Sequence, residues 1–391
     1  MIQKRAQFNI KRIYSSIKNT EKKFNKVDEW SIPRDRFSFY LTHDFHPYFA
    51  AFPPELVKRL LDRYSKEGDV FLDPFMGGGS AIVEGFRLKR RVMGVEISPF
   101  AKFISEVKVT PIKINKKKNS NLLSQIKNDV SKQRFNSYRD FDYKIPEVTN
   151  IDKWFIEKSK FDLAIILYHI KRIKSKHLRN FLLLALSSII RKVSNAKNSE
   201  QHLCIKKEKK IPETFSLFEK KVELMISQME DYIKFLDNFK KPFFEPKLYV
   251  DDVRKLTEFV NPESVDIIIT SPPYGTGSRY TDIYRFNFEW LGFKKPTKEG
   301  ALETTKNFTL ELKRGLQEMF EVLRKKKYCF IVYGNPSTEN SITKQAIYDA
   351  QEIGFKYKGL ISCPIEKTLS NHHTKYRRFI PRDFILIFKK P

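Results

Sequence analysis

The sequence has few cysteines and no long apolar segment. Its three cysteines, Cys204, Cys329 and Cys363, lie far apart without C-x-x-C spacing, which excludes a zinc framework or a disulfide scaffold and is typical of a reducing compartment. The longest apolar run, residues 181–190, is well short of the roughly 20 residues that a membrane span needs. The N-terminus is basic but has no apolar stretch with a cleavage site, so we expect no signal peptide. A soluble cytoplasmic protein is predicted.

Negative charge is also in short supply. The 391 residues include 74 Lys and Arg but only 46 Asp and Glu, which leaves a formal net charge of +28. Such a surplus attracts polyanions and indicates a nucleic acid partner. The alternative is an AT-rich coding sequence that places many lysines on the surface. A membrane-surface protein is disfavoured, because no basic amphipathic helix with a clean apolar face stands out.

The order of the predicted elements indicates an α/β protein that is interrupted by helices. Residues 70–72 are typical of a short buried strand, 81–88 of a helix and 91–97 of a second strand, and this βαβ unit predicts a parallel, doubly wound sheet. Strand and helix patterns resume at residue 248, and helical periodicity dominates the stretch between. We therefore divide the chain into a basic arm (1–36), a first α/β half (37–112), a helical insert (113–242) and a second α/β half (243–391).

A glycine-rich turn, residues 73–80 with the sequence DPFMGGGS, follows the first strand and precedes the helix. Glycines let a backbone approach a ligand closely, and Glu96 at the end of the next strand can accept hydrogen bonds from ribose hydroxyls. The turn lacks the lysine of a phosphate loop, and the carboxylate of Asp73 would repel a pyrophosphate but pair with an ammonium group. Asp73 and Glu96 therefore favour S-adenosylmethionine over NAD or ATP. A purely structural turn is the alternative.

A second candidate functional motif, Ser271-Pro272-Pro273-Tyr274, follows the apolar strand at residues 265–269. Two prolines stiffen the backbone and leave carbonyls free to accept, the hydroxyl of Ser271 is a further acceptor, and Tyr274 offers a face on which a base can stack. The stretch therefore suits a planar group with an exocyclic amine. A strand-ending turn with a packed tyrosine is the alternative.

Together the two stretches resemble the S-adenosylmethionine-dependent DNA amino-methyltransferases. Their cofactor motif is similar to Asp73-Pro74-Phe75-x-Gly77-x-Gly79, and their catalytic motif, (D/N/S)-P-P-(Y/F), is similar to residues 271–274. The resemblance covers roughly residues 40–110 and 245–391. It departs from many relatives at Gly78 and Ser80 and in the long insert, which shows no known recognition module. Weaker matches are Phe45-His46-Pro47-Tyr48 with Phe52-Pro53, Asp252 (with Asp251 equal by spacing), Tyr333-Gly334-Asn335 and the strand at residues 383–388.

The resemblance implies a class I methyltransferase fold, with a Rossmann-like, mostly parallel seven-stranded sheet, helices on both faces and a helical insert domain. It implies S-adenosylmethionine as the cofactor, bound by Asp73, Pro74, Phe75, Gly77, Gly79, Glu96, Asp252 and Pro53. It implies a catalytic set of Ser271, Pro272, Pro273 and Tyr274. No metal is implied, and His372-His373 lack the acidic or thiol companions of a metal site.

The implied reaction is methyl transfer to the exocyclic amine of a base that is flipped out of double-stranded DNA. Serine at the first motif position favours N4 of cytosine in this family, and N6 of adenine is the alternative. Methylation at carbon 5 is excluded, because it needs a Pro-Cys nucleophile and the chain has Cys363-Pro364 in reverse order. Related amine methylation of RNA and an inactive basic binding protein are the other classes. A restriction–modification system with a cognate restriction endonuclease is the expected setting.

The insert is the expected target-recognition region, although its basic residues could equally form a solvated helical face. The DNA could also meet a basic, aromatic stretch at residues 371–378, and Arg279-Tyr280 with Tyr284-Arg285 could line the entrance or be structural pairs. The basic residues of the insert that support DNA contact are Lys171, Arg172, Lys174, Lys176, Arg179, Arg191 and Lys192.

Overall fold

The computed structural model describes residues 27–30, 40–49, 51, 53–132, 143–198, 202–206, 208–238, 243–273, 280–296, 308–334, 340–364 and 382–391. Within these ranges, eight strands form one sheet in the order β1-β7-β8-β6-β5-β2-β3-β4. Only β8 runs antiparallel to its neighbours, β6 and β7. The strands are β1 (Val27–Glu29), β2 (Val70–Asp73), β3 (Arg91–Glu96), β4 (Lys247–Val250), β5 (Val265–Thr270), β6 (Leu323–Gly334), β7 (Lys356–Pro364) and β8 (Arg382–Lys389).

The predicted class I fold is confirmed, because helices cover both faces of the sheet. The expected seven strands are β2 to β8, and β1 adds an eighth that was not expected. Strand side chains alternate between the two faces, so Phe71 and Ile267 join one buried cluster while Leu72 and Ile268 join the other. A central parallel strand that is covered on both sides is mostly apolar, and all six residues of β5 are buried, including Asp266 and Thr270. The short apolar runs of the sequence are therefore the interior strands of the sheet.

Twelve α-helices are seen in the described ranges. Five of them, α4 to α8, lie between β3 and β4 in the stretch predicted to be a helical insert. The helices are α1 (Pro54–Tyr64), α2 (Ser80–Arg87), α3 (Pro99–Val109), α4 (Lys116–Lys132), α5 (Ile151–Trp154), α6 (Glu157–Lys171), α7 (Lys176–Ile189), α8 (Thr214–Asp237), α9 (Tyr280–Ile283), α10 (Arg285–Leu291), α11 (Phe308–Val322) and α12 (Asn340–Ile353).

The insert shares its hydrophobic core with the α/β domain. Phe181 of α7 packs edge-on against Phe45, with 5.7 Å between ring centroids, and Phe155 packs against Trp290 of α10 at 5.5 Å. The amide of Asn287 donates to the carbonyl of Ser187 at 2.8 Å, inside the same contact. Buried residues of both parts belong to one cluster. The insert is thus built onto the sheet-bearing part rather than joined to it by a linker.

The basic arm contributes a strand that the sequence pattern did not predict. Val27–Glu29 adds to the edge of the sheet in parallel with β7, with Val27 opposite Leu360. A strand of three residues is too short to show alternation, and its partner offers an unpaired backbone edge. Residues 1–26 and 31–36 of the arm lie outside the described residues. None of the described helices combines the length and the apolarity that a membrane crossing requires.

Candidate active site

An open cavity lies at the carboxyl ends of β2, β3 and β5, with about 980 Å³ of space when the solvent at its opening is included. This edge of a doubly wound sheet is the usual place for a ligand. Of the residues predicted to form the site, the cavity is lined by Asp73, Pro74, Phe75, Gly77, Glu96, Asp252, Ser271 and Pro273. Gly79, Pro272 and Pro53 do not line it, and Tyr274 lies outside the described residues. Two stretches that are distant in sequence therefore share one cavity.

Asp73 joins those two stretches directly. Its Oδ1 accepts a hydrogen bond from the hydroxyl of Thr270 at 2.7 Å, 197 positions away, and another from the N–H of Phe75 at 3.1 Å. Burial raises the pKa of Asp73 to about 7, against the lowering effect of the two hydrogen bonds. Its Oδ2 accepts no hydrogen bond from a described residue, so that oxygen remains for a ligand in the cavity.

Glu96 ties the glycine turn to the end of β3. Its Oε2 accepts from the N–H of Gly77 at 2.9 Å, and its Oε1 accepts from the N–H of Ser98 at 3.0 Å. Glu96 also lines the cavity. The acid that the sequence marks as a ribose acceptor is therefore also a structural part of the turn.

The glycines of the turn are required by packing on both sides. A Cβ on Gly78 would lie 2.3 Å from the Cβ of Tyr48, and a Cβ on Gly79 would lie 2.6 Å from the Oγ of Ser105. Gly77 and Gly79 also adopt positive φ angles of 49° and 80°, which favour glycine. Gly79 precedes α2 and packs against α3 instead of facing the cavity. The glycines therefore allow the turn to pack closely against side chains of the protein itself, Tyr48 and Ser105.

The structure separates the two adjacent acids that spacing left equivalent. Asp252 begins the 3₁₀ helix Val253–Glu258, accepts from the N–H of Arg254 at 2.9 Å, and forms an ion pair with the guanidinium of the same arginine. Arg254 also pairs with Glu311, and these partners raise its pKa. Asp251 is exposed, lines the cavity and accepts the N–H of Asp252 at 2.8 Å. Asp251 is the less engaged of the two carboxylates.

Ser271 follows β5 at the mouth of the cavity. Its hydroxyl donates to the backbone carbonyl of Val332 on the neighbouring strand β6, at 3.1 Å. Because the hydroxyl proton is directed at that carbonyl, the lone pairs of Oγ are left to accept a hydrogen bond. Pro272 is buried, and Pro273 lines the cavity.

An aromatic stack forms part of the cavity wall. It consists of Tyr48, one of the weaker family matches, with Tyr280 and Tyr284, for which the sequence left open a place at the entrance or a structural role. The ring of Tyr48 lies nearly parallel to Tyr284 (5.0 Å, 9°) and to Tyr280 (5.9 Å, 12°). The N–H of Phe49 donates to the hydroxyl of Tyr284 at 2.6 Å. Tyr48, Phe49 and Tyr280 line the cavity, whereas Tyr284 is buried. The spacing of Tyr280 and Tyr284, four residues apart, is the signal that could have placed them on one face.

The basic residues of the insert divide into two groups. Arg179 donates to the carbonyl of Ile173 at 2.8 Å, and Arg191 donates to the carbonyls of Lys197 and His202 at 3.0 Å each, so both hold backbone. The exposed group is Lys171, Arg172, Lys174, Lys176 and Lys192. Arg279 and residues 371–378 lie outside the described ranges, and Arg285 stacks on Trp154 at 5.2 Å. In the described part of the chain, no cluster of three or more His, Cys, Asp or Glu could hold a metal ion.

Comparison with known proteins finds a DNA methylase family model and type II methyltransferases. Residues 3–107 match the family model N6_N4_Mtase, described as DNA methylase. Over 269 residues the chain is 31% identical to the type II methyltransferase M.MvaI of Kocuria varians, an alignment that covers 65% of this chain and 58% of that protein. Both matches support the resemblance to the N4/N6 DNA amino-methyltransferases that the glycine turn and the Ser-Pro-Pro-Tyr stretch indicate, and with it S-adenosylmethionine as the cofactor.

Further similarities of this chain are shorter or more distant. It is 34% identical over 112 residues to the type II methyltransferase M.MjaII of Methanocaldococcus jannaschii, which covers 28% of this chain and 21% of that protein. The chain thus spans less than two thirds of the length of these relatives. A crystal structure of a SAM-dependent methyltransferase from Methanosarcina mazei aligns with 85% of this chain and 96% of its own, at 10% identity and a TM-score of 0.35. That score carries no argument about function.

Proposed function

We propose that this chain is a DNA methyltransferase that transfers the methyl group of S-adenosylmethionine to the exocyclic N4 amine of a cytosine flipped out of double-stranded DNA. The observation that carries the proposal is the shared cavity. Asp73 and Glu96 enter it from the first α/β half, and Ser271 enters it from the second. The hydrogen bond from Thr270 to Asp73 holds these two halves in register.

The polar groups of the cavity fit S-adenosylmethionine. The cofactor has an ammonium group and ribose hydroxyls but no phosphate, and when bound it supplies an electrophilic methyl group on a positively charged sulfur. Asp73 offers its free Oδ2 to the ammonium, while Glu96 and Asp251 offer carboxylate oxygens to hydroxyl groups. Three carboxylates around one cavity would repel a nucleotide phosphate. The same set favours Asp251 over Asp252 as the second acid.

The residues of the second half orient the base. The two N–H groups of the exocyclic amine would donate to Ser271 Oγ and to the backbone carbonyl of Pro272, which directs the nitrogen lone pair toward the methyl group. The hydrogen bond from Ser271 to Val332 supports this role, since it leaves the serine oxygen only accepting. Tyr274 would stack on the base. Positioning of this kind contributes a large share of the rate of a group transfer.

Serine at position 271 is the reason for preferring cytosine, and this preference rests on the family resemblance alone. The net charge of +28 and the exposed basic residues of the insert support binding of DNA, and we propose the insert, residues 113–242, as the region that reads the target sequence. A cognate restriction endonuclease would be its partner in a restriction–modification system.

Nucleoside analysis tests the proposal. Unmethylated double-stranded DNA and, separately, total RNA are incubated with the purified chain and S-adenosylmethionine that carries a deuterated methyl group, then digested and measured by mass spectrometry. Labelled N4-methylcytosine in DNA is expected. Labelled N6-methyladenine would retain the family chemistry but reverse the base assignment. Label in RNA alone, or no label in either, would overturn the DNA methyltransferase assignment.

A further inference from the structure

Lys108 is a buried lysine behind the glycine turn. It lies on α3 with 2% of its surface exposed, and its Nζ donates to the backbone carbonyl of Gly78 at 3.0 Å. One turn earlier on the same helix, the hydroxyl of Ser105 donates to the carbonyl of Gly77 at 2.9 Å. Neither side chain lines the cavity. Two consecutive carbonyls of the turn are therefore held from outside the site by one helix.

This arrangement is unfavourable for folding by itself. Burial lowers the pKa of Lys108 to about 7, and Lys221 lowers it further, while Asp44 raises it. The charge of Lys108 is also felt by the buried rings of His43 and His46, whose pKa values are lowered by burial. The structure gives Lys108 no ion pair with a described carboxylate. A buried ammonium with one hydrogen bond costs stability that an apolar side chain of the same length would not.

We propose that Lys108 is a positioning residue of the cofactor site, which holds the Gly78 carbonyl and thereby fixes the turn that lines the cavity, so that cofactor affinity depends on a side chain that does not touch the cofactor. This inference rests on the proposed function, because it takes the cavity as the site of S-adenosylmethionine. Ser105 supports the same turn at Gly77 with a neutral, weaker donor.

The protonation of Lys108 should then be visible in binding. An ammonium donates a stronger hydrogen bond than a neutral amine, so the turn is held best below pH 7 and less well above it. Asp73 titrates in the same range with the opposite effect, because its carboxylate gains charge as the pH rises. The informative quantity is therefore the ratio of dissociation constants between wild type and a Lys108 variant at each pH, in which the contribution of Asp73 cancels.

Through Lys108, a rise in pH should increase the stability of the fold but weaken cofactor binding. The folded-state pKa of Lys108 lies below the unfolded value of 10.5, so the folded state binds fewer protons between about pH 7 and pH 10.5. Wild type therefore carries the full penalty below pH 7 and loses it as the pH rises toward 10.5. Replacement by methionine removes the penalty. A variant that is at least as stable but binds the cofactor more weakly separates positioning from a structural role.

The experiment measures binding of S-adenosylhomocysteine, the demethylated cofactor, by isothermal titration calorimetry from pH 6 to pH 8, together with thermal unfolding. The proteins are the full chain, Lys108→Met, Ser105→Ala and, as a matched control on the same helix, Lys102→Met, which removes a partly exposed lysine paired with Glu106. At pH 6 we expect Lys108→Met to weaken binding about tenfold, the scale of one charge-assisted hydrogen bond. Its unfolding temperature should equal or exceed that of wild type, and the tenfold ratio should shrink by pH 8.

Other results have definite meanings. Wild-type affinity in Lys108→Met, or a loss that is the same at pH 6 and pH 8, would overturn the positioning role while leaving the proposed function intact. If Lys108→Met does not fold, Lys108→Gln keeps an N–H donor without the charge, and the same ratio is read from it. Failure of wild type to bind S-adenosylhomocysteine at all would overturn both this inference and the proposed function.

Discussion

The segment that carries the glycine turn and the helical insert bury different kinds of side chain. Between β2 and the end of α3, five charged residues are buried: Asp73, Glu84, Lys89, Arg90 and Lys108. Among the described residues of the insert, Asp162 is the one buried charged residue, and it pairs with Lys158 on the same helix. Apolar burial supplies stability, whereas buried charge usually opposes it. We infer that buried charge lowers the stability of the first segment, which forms part of the site, and that apolar burial in the insert stabilises the fold.

The largest expected change in stability comes from removing a buried apolar side chain of the insert. Phe181 is fully buried and packs edge-on against Phe45. Phe181→Ala should lower the free energy of unfolding by about 3–5 kcal/mol, measured by urea denaturation. The exposed His177→Ala on the same helix should change it by less than about 0.5 kcal/mol. Binding of S-adenosylhomocysteine by the folded protein should be close to wild type. A loss below about 1 kcal/mol would remove the insert as the source of stability.

The next largest effect is on binding, and it comes from a variant of the first segment that we do not expect to lose stability. Asp73→Asn keeps an oxygen for the bonds from Thr270 and Phe75 but removes the charge. We expect affinity for S-adenosylhomocysteine at pH 8 to fall by about 10- to 100-fold, the scale of a hydrogen bond to a charged group. The matched control is Asp62→Asn on α1, an exposed carboxylate outside the cavity. Unchanged affinity in Asp73→Asn would argue against its role toward an ammonium.

The pH dependence of the same variant has a defined sign. The folded-state pKa of Asp73, about 7, lies above the usual aspartate value of 3.8, so the folded state binds more protons between these pH values. The contribution of Asp73 to stability is present below about pH 4 and is lost as the pH rises to 7. Relative to wild type, Asp73→Asn should therefore be more stable at pH 8 than at pH 4. An equal difference at both pH values would contradict the raised pKa.

A smaller loss of stability is expected from a change in the glycine turn where Gly78 packs against Tyr48. Gly78→Ala places a Cβ 2.3 Å from the Cβ of Tyr48, so the turn or the tyrosine must move. We expect the free energy of unfolding to fall by about 1–3 kcal/mol, with weaker binding of S-adenosylhomocysteine. Tyr48→Gly in the same chain should make the Gly78→Ala loss smaller, because both the Cβ and the ring that the new Cβ would meet are gone. Fully additive losses in the double variant would show that the two residues do not meet as described.

The sequence predicts the local parts of this site and not the contacts between distant parts. The order of β2, the glycine turn, α2 and β3 follows from apolar runs and glycine spacing, and Glu96 lies at the predicted strand end. The bond from Thr270 to Asp73 and the fit of Tyr48 on Gly78 could not be predicted, since no periodicity relates residues so far apart. Asp251 and Asp252 are equal by spacing, and only the turn into the 3₁₀ helix decides which carboxylate pairs with Arg254. The family resemblance, not the residue pattern, brought Ser271 to the same cavity as Asp73.

The smallest effect concerns a lysine of the insert whose surroundings mimic those of Lys108. Lys209 is half-buried and donates to the carbonyls of Ser194, Ala196 and Arg191 at 2.6, 2.7 and 3.1 Å. Burial lowers its pKa to about 8, but it has no contact with the cavity. Lys209→Met should lower the free energy of unfolding by about 1 kcal/mol, because the carbonyls of Ser194 and Ala196 lose this donor. The neighbouring exposed Lys210→Met should have no effect. If Lys209→Met also weakened binding of S-adenosylhomocysteine tenfold, buried lysines would affect the cofactor through general loosening of the fold, and the contrast between the two regions would fail.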